Sequence, residues 1–320
     1  MLFLRPSDYF SRNFLRSPAA GVSSFFRILI LTELIAISLF LARLAIVNQT
    51  PPACDCSSFT KQGGDKNVSI WDKTNVSMDD PELVSAVRQM LIPPSISKTK
   101  LKEREYMKAG FNPSAGQVQL IENILISFGK DGFFIECGAN DGEWYSNTLW
   151  LERTLNWKGL LIEADPVAFR KLKGKNRNAW TLNMCLASTK SPKRLPFFQT
   201  GGVMGGLIKP KHHFPDPVQV QCVPFYTILL AVDRTVIDFF SLDIEGTELD
   251  VLRTIPFDKV FIKVLAIEHI LIKEGKEALR KFMESHGYRF FTQFVHPRGL
   301  AGDSIFIHSS LIYNETSKVT

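Results

Sequence analysis

The sequence predicts an α/β domain, a doubly wound sheet with an antiparallel C-terminal edge, preceded by one transmembrane helix. Three observations predict it. From Asp131 onward, short apolar runs alternate with helical patterns. Acidic residues recur where those runs end, the position at which doubly wound sheets bind ligands. Near the N-terminus, Ile28 to Val47 reads ILILTELIAISLFLARLAIV, and a helical span takes roughly 20 apolar residues.

The 320-residue chain carries a formal charge of +6. Residues 1–47 hold half of it, with Arg5, Arg12, Arg16, Arg27 and Arg43 against Asp8 and Glu33. The remaining +3, spread over the rest of the chain, predicts no nucleic-acid partner. Residues 28–47 read as a signal anchor. Glu33 and Arg43 weaken it, each costing up to about 3 kcal/mol at a helix centre, and Arg43 lies near enough to the end to snorkel. A buried soluble helix is the competing reading; a cleaved leader is disfavoured by the long stretch that precedes the apolar core. Arginines ahead of the span put residues 1–27 in the cytoplasm and the rest on the lumenal or extracellular side, a type II arrangement. Sequons at Asn67, Asn75 and Asn314 fit that side, whereas Asn48 is a poorer acceptor, pressed against the membrane. Of five cysteines, Cys54 and Cys56 lie in a polar segment suited to a disulfide-linked dimer. Cys185 and Cys222 could pair within the domain, and Cys137 reads as a buried thiol.

Residues 48–80 are rich in Ser, Thr, Asn, Asp, Gly and Pro and read as a stem. Residues 81–130 form a helical lead-in: a helix from Glu82 to Ile92 stops at Pro93-Pro94, basic residues follow from Lys98 to Arg104, and Ser114-x-x-Gln117 resembles a capping box opening a helix through Phe128. The domain proper spans 131–310, with a tail at 311–320. Its expected strands are Phe133–Cys137, Gly159–Ile162, Ala179–Met184, Val236–Leu242 and Val264–Ile267, then Tyr288–Val295 and Ser304–His308 as a terminal hairpin. Helices are expected at Pro166–Lys173 and Glu274–His286, and another, carrying Leu149, Leu151 and Leu155, is capped by Ser146.

After the first strand comes Glu136-x-Gly138-x-x-x-Gly142, where a glycine lets the chain turn at a strand end. This is neither a dinucleotide fingerprint nor a P-loop, and a sharp turn without ligand explains it about as well. Strand-end acids are Glu136, Glu163, Asp165, Asp243, Glu245 and Glu268. Glu163 stands where a carboxylate accepts both hydroxyls of a ribose. His269 is a candidate proton acceptor, although a lone strand-end histidine is more often structural. His212-His213 lies in a Pro/Gly-rich loop and reads as surface or a substrate lid; no metal site is expected.

The phrases E-C-G-A-N-D-G, G-L-L-I-E-A-D-P and D-F-F-S-L-D-I-E-G-T-E-L-D-V-L resemble the successive motifs of FkbM-type, S-adenosylmethionine-dependent methyltransferases. That resemblance implies a Rossmann-like sheet of the methyltransferase type. Glu136, Gly138, Asn140 and Gly142 would form the cofactor loop, Glu163 would hold the ribose and Asp165 would lie beside the adenosine. Asp243 and Glu245 would face the methyl group and its acceptor, and in an active enzyme Asp243 or His269 would remove the proton. Longer phrases, N-W-K-G-L-L-I-E-A-D-P, N-R-N-A-W, T-I-P-F-D-K and G-D-S-I-F-I-H among them, resemble the Star family of arthropods. Star-like proteins are type II membrane proteins with an FkbM-like lumenal domain. That likeness implies transport of membrane-tethered growth-factor precursors of the epidermal growth factor receptor pathway from endoplasmic reticulum to Golgi, with endosome and plasma membrane as further locations. The alternative it leaves open is an active O-methyltransferase.

Overall fold

The computed structural model describes residues 69–73, 75–102, 108, 110–202, 205–207, 217–297 and 301–313. The expected tail and span at 1–47, Cys54 and Cys56, the sequons at Asn48, Asn67 and Asn314, and His212-His213 lie outside these residues. Among the described residues, no helix is long and apolar enough to cross a membrane.

In chain order the elements begin with α1 (Pro81–Met90), α2 (Glu122–Ser127), β1 (Phe133–Cys137), α3 (Leu149–Leu155), β2 (Lys158–Ile162), α4 (Pro166–Lys173) and β3 (Trp180–Leu182). Four short strands follow: β4 (Cys185–Leu186), β5 (Lys193–Phe198), β6 (Gly206–Leu207) and β7 (Val218–Val223). Then come α5 (Phe225–Ala231), β8 (Val236–Leu242), α6 (Glu248–Leu252), β9 (Phe261–Glu268), α7 (Lys276–Ser285), β10 (Tyr288–Val295), β11 (Gly302–His308) and α8 (Ser309–Tyr313).

Asp80 starts α1 by accepting from the N–H groups of Glu82 and Leu83 at 2.8 and 3.1 Å, and Pro81 has no amide to satisfy there. The helix ends before Ile92, because Ile92 instead exchanges both backbone hydrogen bonds with Thr181, each at 3.0 Å. Residues from Ile70 to Met78 have stem-like composition yet lie against the domain. Ile70 and Val76 are buried beside Leu83, and the hydroxyls of Ser191 and Thr227 donate to the carbonyls of Val76 and Met78. Ile70, Trp71, Val76 and Met78 follow neither a helical nor a strand spacing, so they do not register as periodicity. Asn75 is exposed. Ser114 accepts from Val118 N–H at 3.1 Å, but a 3-10 turn at Gln119–Ile121 intervenes, so α2 is shorter than the capping pattern predicts.

The main sheet runs β10-β11-β9-β8-β1-β2-β3. The five strands from β9 to β3 are parallel, while β11 is antiparallel to both neighbours. A terminal hairpin forms as expected, but its second strand threads between β9 and β10, so the antiparallel strand is internal rather than at the edge. The reason is burial: β11 is buried along nearly its whole length, whereas β10 after its buried first residue alternates between partly buried and exposed residues, as a strand covered on one face does. Side-chain alternation divides two apolar layers. Ile135, Phe240, Leu265 and Ile267 face one layer, and Phe134, Phe239, Val264 and Ala266 face the other. Connections lead outward from β1 in one direction and from β8 in the other. The chain therefore reverses its order between them, which opens a crevice at their carboxyl ends.

A second sheet, ordered β4-β7-β5-β6, has no counterpart in the sequence reading. β4 and β6 are 2 residues each, and Pro196 sits inside β5, which weakens the strand signal. Cys185 and Cys222 face each other in register on β4 and β7 and form a disulfide.

Candidate functional site

At the end of β1, Gly138 has φ +80° and hydrogen-bonds Ile162 O through its N–H at 3.1 Å. A Cβ placed there would lie 1.9 Å from the backbone oxygen of Asp243, so only glycine lets β1 and β8 converge. At Gly142, where φ is +74°, an added Cβ would lie 2.3 Å from the Leu172 side chain, and the left-handed backbone turns the chain toward α3.

The carboxylate of Glu136 is buried and faces the following loop. It accepts from Ser146 Oγ at 2.9 Å, Asn147 N–H at 2.7 Å and Thr148 Oγ1 at 2.5 Å. Burial raises its pKa, and the charge of Arg177 opposes that rise. Arg177, itself 2% exposed, pairs with Glu152 at 2.7 Å and also donates to Gly142 O, Ser146 Oγ and Thr148 Oγ1. The N-cap of α3 is Thr148 rather than the expected Ser146 and makes no side-chain cap hydrogen bond; Ser146, two residues earlier, accepts from Leu149 N–H at 3.1 Å. Next to this network, buried Lys175 pairs with Glu143 and with Asp141, the latter at 3.3 Å. Arg177 and Lys175 went unassigned in the sequence reading. The only signal was the N-R-N-A-W phrase, which carried no chemistry on its own.

Glu163 lies at the end of β2, 7% exposed. One oxygen accepts from Asn140 N–H and the other from Asp165 N–H, both at 2.7 Å. Burial pushes its pKa up to about 7 against those donors. Asp165 caps α4 through Val167 and Ala168 N–H, and its second oxygen takes the N–H groups of Thr200 and Gly201 at 3.0 and 2.6 Å. Its pKa is lowered, because those hydrogen bonds outweigh the opposing effect of burial.

Across the crevice, Asp243 follows β8 on a solvent-exposed face although protein crowds it. Its pKa is raised by that crowding and by the charges of Asp303, Glu245, Glu268 and Glu248. Glu245, at φ +63°, is partly exposed and pushed up to about 6 by burial and by Glu248. Glu248 holds the intervening turn, accepting from Ile244 and Gly246 N–H at 2.9 and 3.0 Å. Glu268 ends β9 with a pKa pushed up to about 8 by burial and by Glu248. His269 is buried. Its Nδ1 lies 3.1 Å from Ser304 Oγ, and burial together with the charge of Lys276 lowers its pKa. Oxygens of Asp243, Glu248 and Glu268 lie within 4.8 Å of one another. Glu248 and Asp303 are members of this group that sequence reasoning missed, Asp303 because it opens a strand rather than ending one.

The strand order and crevice define a Rossmann-like α/β domain with a mixed sheet. Residues 136–290 match the model of the FkbM methyltransferase domain. No curated protein matches the chain. Among solved structures, the human methyltransferase 10 domain containing protein is similar at 12% identity and TM-score 0.37, covering 61% of this chain and 80% of that one. The METTL16 methyltransferase domain, at 11% identity and TM-score 0.40, covers 71% and 90%. TrmK of M. capricolum, solved with S-adenosyl-homocysteine, covers 58% and 66% at 10% identity and TM-score 0.35.

Proposed function

We propose that the domain binds S-adenosylmethionine in the crevice between β1 and β8 and transfers its methyl group to a hydroxyl oxygen, on the lumenal side of secretory membranes. The observation that carries the cofactor reading is Glu163. A carboxylate offers about four acceptor sites, and backbone N–H groups occupy two of them, so two stay open to the paired hydroxyls of a ribose. Gly138, Asn140 and Gly142 shape the loop beside it. Glu136 acts one layer back, holding residues 146–148 in place.

The bound cofactor supplies an electrophilic methyl group on a sulfonium. Gly138, Asn140, Gly142 and Glu163 would hold the cofactor, and the proton of the acceptor hydroxyl would pass to a protein base. His269 suits this role because its lowered pKa keeps the imidazole neutral near pH 7. Asp243 and Glu245 orient the acceptor. The test is titration of S-adenosylmethionine into the full-length chain in detergent. Micromolar binding lost in Glu163→Ala is expected, and a folded protein that takes up no cofactor would sink the reading.

The lumenal placement is supported by the Cys185–Cys222 disulfide, since such bonds persist in oxidising compartments. The apolar run at 28–47 and the exposed sequon at Asn75 agree with it. On that basis the chain is a glycosylated type II protein of endoplasmic reticulum and Golgi, reaching endosomes and plasma membrane. Glycosidase sensitivity of the expressed chain checks this directly.

A second reading is escort of membrane-tethered growth-factor precursors through the secretory pathway. It is favoured by the engagement of Glu136 and Asp165 within the protein itself, which lets the fold stand as a scaffold without cofactor. The Star-like phrases point the same way, and stem cysteines would allow a linked dimer. Unchanged precursor transport in cells lacking the protein would rule escort out.

A further inference from the structure

Five carboxylates converge where β8, β9 and β11 meet the crevice. Asp243 and Glu245 follow β8, Glu248 opens α6, Glu268 ends β9, and Asp303 enters on β11. Oxygens from Asp243, Glu248 and Glu268 come within 4.8 Å of one another. That is the spread of ligands around one hard cation, whose metal–oxygen bonds of about 2.0–2.6 Å put ligand atoms some 3–5 Å apart.

A separate observation lifts this above an ordinary acidic cluster. Glu268 is only 7% exposed, and one of its oxygens accepts from Ile270 N–H at 2.6 Å. Its other oxygen, Oε2, is sealed from solvent and has no hydrogen-bond partner among the described residues. A buried carboxylate oxygen left without a donor is costly. Among the described residues no lysine or arginine forms an ion pair with Asp243, Glu268 or Asp303. Asp303 is 3% exposed, so its charge too is held inside the cluster.

We propose that Asp243, Glu248 and Glu268 form a binding site for a hard divalent cation, with Asp303 beside it as a further acid. The donors are all carboxylate oxygens, which select Mg2+, Mn2+ or Ca2+ over softer metals. Asp243, facing solvent, provides the entry side and leaves room for coordinated water. The site stands whether or not the crevice transfers a methyl group.

The test strips the full-length chain in detergent with a chelator, then adds each of the three cations separately, following heat of binding and melting temperature without cofactor or substrate. Saturable binding with Kd at or below about 1 mM for at least one cation is expected, with a raised melting temperature, and Glu268→Gln weakens it at least about tenfold. Should Glu268→Gln fail to fold, Asp243→Asn, altering an exposed residue, makes the same comparison. A folded chain that binds none of the three overturns the proposal. So does binding that the folded variants keep at full strength.

Discussion

Arg177 shows how one side chain holds the cofactor loop together. It reaches Glu152, Gly142, Ser146 and Thr148 at once and faces the buried charge of Glu136. Arg177→Leu strands two buried carboxylates, and breaking such a pair costs about 3–5 kcal/mol. A drop of that size in urea-unfolding free energy is expected. Arg177→Lys recovers little of it, because an ammonium cannot present a fork of donors to several acceptors. Glu163 gives a prediction in pH. Its folded pKa of about 7 lies above the ordinary 4.5. The folded state therefore keeps a proton that the unfolded state has lost, and its contribution to stability disappears as pH rises across that interval. Melting temperature should fall with pH over this window, and less steeply in Glu163→Gln. An unaltered slope would place the raised pKa elsewhere. Glu136 and Glu163 were legible in the sequence because strand ends are. Their partners were not, since Arg177 lies far along the chain from Glu136 and no local pattern joins them.

Among the elements, those with strong apolar runs were legible to the residue: β1, β8 and β10 begin and end where the sequence places them. The small sheet was not, because strands as short as β4 and β6 hold together through neighbours rather than through their own pattern. The disulfide is one such tie, joining β4 to β7 across 37 residues of sequence. Cys185→Ser removes it, and losses of this kind run to about 2–4 kcal/mol. The melting temperature of the wild-type chain should fall on reduction, while that of the variant stays put. If reduction shifts both equally, another cysteine carries the effect. Asp165 couples this small sheet to the main one, capping α4 with one oxygen and gripping the chain after β5 with the other.

At the level of the whole molecule, the sequence conveyed the alternation of strands and helices but not the order in which strands lie side by side. Order depends on which face each strand can afford to expose, and β11, more deeply buried than β10, takes the inner place. Removing residues from Gly302 onward should leave β9 with an open edge, so the shortened chain is expected to aggregate or lose amide protection throughout β9, as hydrogen exchange would reveal. A stable, protected β9 in that truncation would contradict the threading. There is a further consequence for biosynthesis. Among the described residues, the strand made last is an interior one, flanked by strands made before it. A nascent chain therefore holds an unfilled slot until the ribosome has passed residue 308, and throughout that interval the exposed slot is a natural binding place for chaperones.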